Sequence, residues 1–179
     1  MIRLFAAIEL APEVGEDLAR RQQGLPGAAW RPTDSLHITL AFYGEVPEPA
    51  AEELDLALGR IQSRPFDLAL EGVGHFGDGH QLRALWAGVR DSEPLRVLAG
   101  RCVAAAKRAG IRMEARAYRP HVTLAYLRGQ VDPARAAAWV ADNGLLASPP
   151  WRVGGFGLYS SWRSTEGSRY DLERDYPLF

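Results

Sequence analysis

Leu36-His37-Ile38-Thr39-Leu40-Ala41-Phe42 can be laid over Pro120-His121-Val122-Thr123-Leu124-Ala125-Tyr126. His, Thr, Leu and Ala coincide, and the other inner positions match β-branched against β-branched and aromatic against aromatic. Each copy runs on through a glycine and a valine to a proline at a helix start: Gly44, Val46 and Pro47, then Gly129, Val131 and Pro133. The copies lie 84 residues apart in a chain of 179, close to half its length, as a duplicated lobe would place them. With four histidines and four threonines, shuffling gives roughly 0.1 His-x-Thr pairs, so two in matching context are a repeat.

Strand geometry says what the repeat is for. Side chains alternate along a strand, so His37 and Thr39 share one face, as do His121 and Thr123. Ile38, Leu40, Val122 and Leu124 then point into packed lobes. If a pseudo-two-fold axis relates the lobes, both His-Thr faces meet in one cleft. Such a cleft suits the cleavage of a phosphate diester. One neutral imidazole takes a proton from the attacking oxygen while a protonated one gives a proton to the leaving oxygen. An unperturbed imidazole pKa of about 6.5 lets both forms exist near neutrality. The threonine hydroxyls, with any arginine in reach, hydrogen-bond the non-bridging oxygens. A lone histidine on a strand is usually a partly buried residue with one hydrogen bond; core packing has no reason to select His and Thr twice.

Outward from the repeat, strand-like and helix-like segments alternate. Residues 2–8 read as a strand, 13–23 as a helix, 28–31 as a short strand and 36–43 as a strand. Residues 47–61 carry Leu54, Leu58 and Ile61 at helical spacing. Residues 66–76 and 82–89 form a strand pair around the turn at 77–79. A helix over 94–108 ends before Gly110. The strand 121–127 is followed by a helix to about Asn143, with Asp132 as N-cap and Pro133 in its first turn. Strand-like stretches at 153–160 and 168–172 close the chain. This order indicates an α+β fold, bilobal, with antiparallel sheet and helices in each lobe around a central cleft. No linker separates independent domains, so residues 1–179 are expected to form one domain of two duplicated lobes, each with one His-x-Thr motif.

Composition narrows the function. A net charge of −1 argues against a broad basic coat for long nucleic acid, so a polyanion would be met by a local cluster of arginines. Lys107 is the only lysine. Arginine suits bidentate phosphate contacts, although a GC-rich genome gives the same bias. Cys102 has no cysteine partner and reads as a small buried residue. The apolar run in MIRLFAAIEL is too short for a signal peptide, and no segment approaches the roughly 18 apolar residues of a membrane span. A soluble cytoplasmic protein without a membrane role is expected, a monomer with no evident protein partner.

At these residues the chain resembles the two-histidine (2H) phosphoesterases, and within them the RNA 2′,3′-cyclic phosphodiesterases, once named 2′-5′ RNA ligases. The family's two motifs match His37/Thr39 and His121/Thr123. Its opening strand resembles Arg3-Leu4-Phe5-Ala6-Ala7-Ile8, its central Leu-Trp-Ala-Gly-Val resembles Leu85 to Val89, and its C-terminal pattern resembles Ser160 or Ser161, Gly167, Tyr170 and Pro177-Leu178. The resemblance implies a water-filled cleft that uses no metal and no cofactor. Its substrate would be an RNA 3′ end, or a small nucleotide, bearing a 2′,3′-cyclic phosphate, hydrolysed to a 2′-phosphate. His37 would protonate the leaving 3′-oxygen and His121 would activate water, although the near-symmetric repeat leaves that division open. Many members carry an arginine where this chain has Tyr126. Arg128, of the same strand parity, and Arg119, in the matching Arg-Pro-His, are the candidates to hold the phosphate beside Thr39 and Thr123.

Phe5, Trp30, Phe76, Tyr126 and Tyr159 are candidates to line the cleft and stack on a terminal base, although core packing is the commoner fate of an aromatic ring. Phe42 has the weakest claim, because its parity opposes that of His37. His75 and His80 flank a turn with Asp78, but a zinc or iron site needs three or more ligands, and an exposed hairpin tip is expected. Two other functions compete. One is a related enzyme acting on another small cyclic phosphate or a 2′-5′ linkage, including ligation. The other is a non-catalytic module that binds RNA ends, for which arginine or lysine would serve better than titratable imidazoles.

Overall fold

The alternation of buried and half-exposed side chains that makes the two motif segments strands also fixes what each strand packs on. In the computed structural model, which describes residues 1–129, 131–165 and 167–179, His37 and Thr39 are partly exposed while Ile38 and Leu40 are buried. The second copy alternates in the same way. Burying a side chain of this size stabilises by about 1.5–3 kcal/mol, so a one-residue slip, which would bury the imidazoles instead, is strongly disfavoured.

The elements run β1 (Ile2–Glu9), α1 (Pro12–Arg21), β2 (Ala28–Trp30), β3 (His37–Val46), α2 (Glu48–Gly59), β4 (Phe66–Leu68), β5 (Leu70–Phe76), β6 (Ala84–Val89), α3 (Glu93–Arg108), β7 (His121–Leu127), α4 (Pro133–Asn143), β8 (Trp151–Val153), β9 (Gly155–Ser164) and β10 (Gly167–Pro177). Short 3-10 turns occupy Thr33–Ser35 and Gly79–Gln81. The strands pair antiparallel throughout, in two four-stranded sheets ordered β10-β9-β1-β3 and β2-β7-β6-β5 and a two-stranded sheet β4-β8. His37 therefore sits on one large sheet and His121 on the other. The fold is α+β, as the sequence order indicates.

Two helix starts carry side-chain caps: Ser92 Oγ accepts from the Leu95 amide at 3.3 Å and Asp132 Oδ1 from the Ala134 amide at 2.9 Å. One apolar core joins buried side chains of both large sheets, among them Ile8, Ile38, Leu85 and Leu124. Helix α3 lies against β3 and α2, and α4 against β5. No helix among the described residues is long and apolar enough to cross a membrane.

The expected strand 66–76 is interrupted at Ala69. Its first part, β4, leaves the large sheet to pair with β8, so residues that read as one strand serve two sheets. The final hairpin is also longer than the sequence indicates, with β9 and β10 paired from Gly155–Pro177 to Ser164–Gly167.

The two copies agree beyond their sequences. Strand β3 pairs with β1 and β7 with β6, and in each the pairing steps over one leucine. Ala6 and Ala7 face Ala41 and Thr39, skipping Leu40; Leu85 and Trp86 face Ala125 and Thr123, skipping Leu124. A bulge of this kind places two successive residues on the buried side and reverses the alternation beyond it. Phe42 and Tyr126 thereby return to the face that carries their histidines, and they are 52% and 37% exposed.

Candidate active site

His37, Thr39, His121 and Thr123 line one cleft of about 450 Å³. The imidazoles are fixed by the same local bond. His37 Nδ1 lies 2.8 Å from the Ser35 carbonyl oxygen and His121 Nδ1 lies 2.7 Å from that of Arg119, two residues back in each case. A carbonyl oxygen only accepts, so each Nδ1 carries a hydrogen, and Nε2 is the nitrogen left for chemistry. Both sequence copies thus yield the same tautomer.

The surroundings then diverge. The Thr39 hydroxyl lies 3.1 Å from His37 Nε2 and donates to it when the ring is neutral. No such bond joins Thr123 to His121. Phe5 packs on His37 at 5.0 Å between ring centroids, and Tyr170 stands edge-on to it at 5.3 Å. Phe76 stands edge-on to His121 at 4.9 Å. Burial holds the His37 pKa below its ordinary value; the Ser35 carbonyl opposes this, and the charges of Arg31 and His121 add to it. A further tie spans the motifs: Tyr118 Oη donates to the Thr39 carbonyl at 2.8 Å, one residue before the carbonyl that holds His121.

Other expected residues fall in different places. Phe5 and Tyr126 line the cleft. Phe76 touches His121 from behind it. Trp30 packs on Trp139 at 5.6 Å, away from the cleft. Tyr159 stacks beneath Phe5 at 5.4 Å and donates to Glu9 Oε1 at 2.8 Å, facing a separate groove. Phe42 does line the cleft, because the bulge reverses the parity that argued against it. His75 and His80 are exposed at their turn, with His75 Nδ1 donating to the Gly77 carbonyl at 2.7 Å. Among the described residues no three His, Cys, Asp or Glu gather where they could hold a metal ion.

The arginines differ most from expectation. Arg119 and Arg128 are exposed and do not line the cleft; Arg119 contributes its carbonyl, and Arg128 lies just beyond the end of β7, where strand parity no longer applies. Among the described residues the arginines that line the cleft are Arg3, Arg31 and Arg116. They come from β1, from the end of β2 and from the segment before β7. Ser161, Ser168 and Tyr170 arrive on β9 and β10. One signal pointed to the bulge: the run Leu-Ala, two apolar residues in succession, breaks the alternation identically in both copies.

Two tautomerically fixed imidazoles face one polar cleft and can give and take protons there, the arrangement expected of a two-histidine phosphoesterase. The chain belongs to the 2′-5′ RNA ligase superfamily, whose sequence profile matches residues 9–164. Curated relatives named RNA 2′,3′-cyclic phosphodiesterase include one from Escherichia coli K12, 37% identical over 126 residues, covering 68% of this chain and 70% of the relative. Another, from Geobacillus stearothermophilus, is 33% identical over 127 residues; the match covers 68% of this chain and spans 40% of the relative's length. Escherichia coli LigT, solved in apo form, superposes with a TM-score of 0.80 at 28% identity, over 99% of this chain and 97% of LigT. The same protein complexed with 3′-AMP superposes with a TM-score of 0.79.

Proposed function

We propose that the chain hydrolyses a terminal 2′,3′-cyclic phosphate on RNA to a 2′-phosphomonoester, without a metal ion. The observation that carries this reading is the pair of Nε2 atoms, each with its Nδ1 proton committed to a carbonyl, on one cleft. His121 Nε2 takes a proton from water as the water oxygen bonds to phosphorus. The P–O3′ bond breaks, and His37 Nε2 delivers its proton to the departing 3′-oxygen. His37 ends neutral and His121 protonated, and exchange with solvent resets both. Thr39 and Thr123 donate to the non-bridging oxygens as charge grows there.

The lowered pKa of His37 bears on this assignment. In the free cleft it favours a neutral ring, which cannot serve as the acid. A phosphate anion beside the ring favours the protonated form, so His37 takes up its proton together with substrate. The names of the curated relatives and the LigT complex with 3′-AMP support a nucleotide phosphate as ligand. The open cleft favours hydrolysis over ligation, since water at about 55 M outcompetes a hydroxyl unless it is excluded.

The chain acts as one domain of two duplicated lobes, a reading supported by the matching bulges at Leu40 and Leu124. It works on RNA 3′ ends as a monomer in the cytoplasm, a compartment that suits its free, buried Cys102. The test is incubation with an oligonucleotide ending in 2′,3′-cyclic phosphate, with EDTA present, followed by product mapping. Ring opening to the 2′-phosphate is expected. A 3′-phosphate product would reverse the leaving-group assignment, and absence of turnover with tight binding would mean a binding module.

A further inference from the structure

Three guanidinium groups reach the cleft, and their surroundings rank them. Arg116 is ion-paired with Glu114, and both side chains are largely exposed. Arg3 lies over the Phe42 ring at 5.5 Å with its Nε buried and unpartnered, but it stands on β1 and the ring it touches belongs to the His37 strand, so it is tied to that motif alone. Arg31 is placed differently. Its amide donates to the Leu124 carbonyl at 2.8 Å, beside Thr123, so the chain leaving β2 is pinned to the second motif. Its guanidinium lies 5.5 Å from the Tyr126 ring and 5.5 Å from the Tyr170 ring, and Tyr170 in turn touches His37. Arg31 is thus tied by its backbone to the His121 strand and by its head group to the surroundings of His37.

Its donors are mostly unspent. Beyond its approach to the Tyr170 hydroxyl, the side chain's hydrogen bond among the described residues is a long one, from Nη2 to the Ser168 carbonyl at 3.4 Å. Among the described residues no carboxylate pairs with it. A guanidinium has five N–H donors in a fixed plane and is always charged. Held by two rings and facing a polar cleft between two imidazoles, it lacks only an anion.

We infer that Arg31 is the phosphate-gripping residue of this site, binding the non-bridging oxygens of the substrate while Tyr126 and Tyr170 hold its guanidinium in place. This rests on the phosphodiesterase reading for the identity of the substrate, but phosphate binding itself can be measured without turnover. Stacking on aromatic rings orients the planar head group without neutralising it.

The experiment measures kcat and KM on 2′,3′-cyclic AMP and, separately, the Kd of inorganic phosphate by calorimetry. The proteins are wild type, Arg31→Lys, Arg31→Gln and the double variant Arg31→Gln/Tyr126→Arg. Loss of a bidentate charged contact should weaken phosphate binding about tenfold or more and lower kcat/KM about 10²-fold in Arg31→Gln, with a smaller loss in Arg31→Lys. Position 126 faces the same cleft beside Arg31, so the double variant should recover at least about tenfold of the lost kcat/KM, which a merely structural arginine would not allow. Wild-type kcat/KM and phosphate affinity in Arg31→Gln would overturn the inference, as would a double variant no better than the single one. If Arg31→Gln fails to fold, Arg31→Lys with unchanged phosphate affinity and kcat/KM overturns it equally. A wild type that binds phosphate through Arg31 yet leaves the cyclic nucleotide intact would refute the activity and leave the assignment of Arg31 standing.

Discussion

His37 and His121 each donate the Nδ1 proton to the carbonyl two residues back, at 2.8 Å to Ser35 and 2.7 Å to Arg119. Equal bonds set equal tautomers, but the rings are not chemically equivalent. The Thr39 hydroxyl bonds His37 Nε2, a contact with no counterpart at His121 among the described residues, whereas the edge-on ring of Tyr170 is matched there by Phe76. The asymmetry that an acid and a base require thus comes from the neighbours and not from the repeat.

Because burial keeps the folded-state pKa of His37 below its ordinary value of about 6.5, the unfolded chain binds this proton first. The contribution to stability is therefore present above about pH 6.5 and is lost as pH falls through the lower folded value. A bound anion reverses the effect by favouring the charged ring. Sulfate, whose charge is constant over this range, should raise Tm more near pH 5.5 than near pH 8. The pH-dependent part of that gain should shrink in His37→Gln; a gain independent of pH in wild type would count against it.

Thr39 and Thr123 should differ on substitution by valine, which keeps their shape. Each variant loses one donor to the phosphate, a change that typically costs about 10²-fold in kcat. Thr39→Val also removes the bond to His37 Nε2, so it alone should displace the limb of the pH–rate profile set by His37. Identical profiles in the two variants would contradict this.

Tyr118 ties the approach to His121 to the strand of His37 through the Thr39 carbonyl. Tyr118→Phe keeps the ring and removes the bond, which is worth about 0.5–1.5 kcal/mol in stability. Since the next residue carries the carbonyl that orients His121, kcat should fall about tenfold with little change in KM, measured by steady-state kinetics. An unchanged kcat would show that the tie does not position the ring.

Gly88 faces His121 across β6 and β7, and a Cβ placed on it would lie 2.5 Å from the Glu71 carbonyl oxygen. Gly88→Ala must push β5 away from β6, a strain of about 1–3 kcal/mol. At this chain length Tm should fall by about 2–12 °C in a thermal melt, and an unaltered Tm would mean that the strands relax without cost.

The repeat made the two motif strands legible, and with them the four side chains that meet in the cleft. Local patterning also located the helices, since spacing, Pro starts and the Asp132 cap are properties of neighbouring residues. What was not legible arises from pairing between distant segments. Arg31 reaches the site because β2 docks on the edge of β7, and Tyr170 because the last hairpin extends the sheet of β1. No spacing in the chain encodes either pairing. The case of Phe42 is different, because alternation is a sound rule that one extra residue, Leu40, reverses. Arg128 stays out of the cleft for a related reason: β7 ends at Leu127, and the alternation does not continue past it.

The proposed activity requires two imidazoles to act as one unit on one phosphate. It is tested most directly by kcat/KM on 2′,3′-cyclic AMP for His37→Ala, His121→Ala and the double variant. Each proton transfer typically contributes about 10²–10⁴-fold, so each single variant should lose more than about 99% of the rate. Groups acting as a unit are strongly non-additive, so the double variant should be at most about tenfold slower than the worse single one. Wild-type rates in either single variant, or losses that simply multiply, would contradict the account.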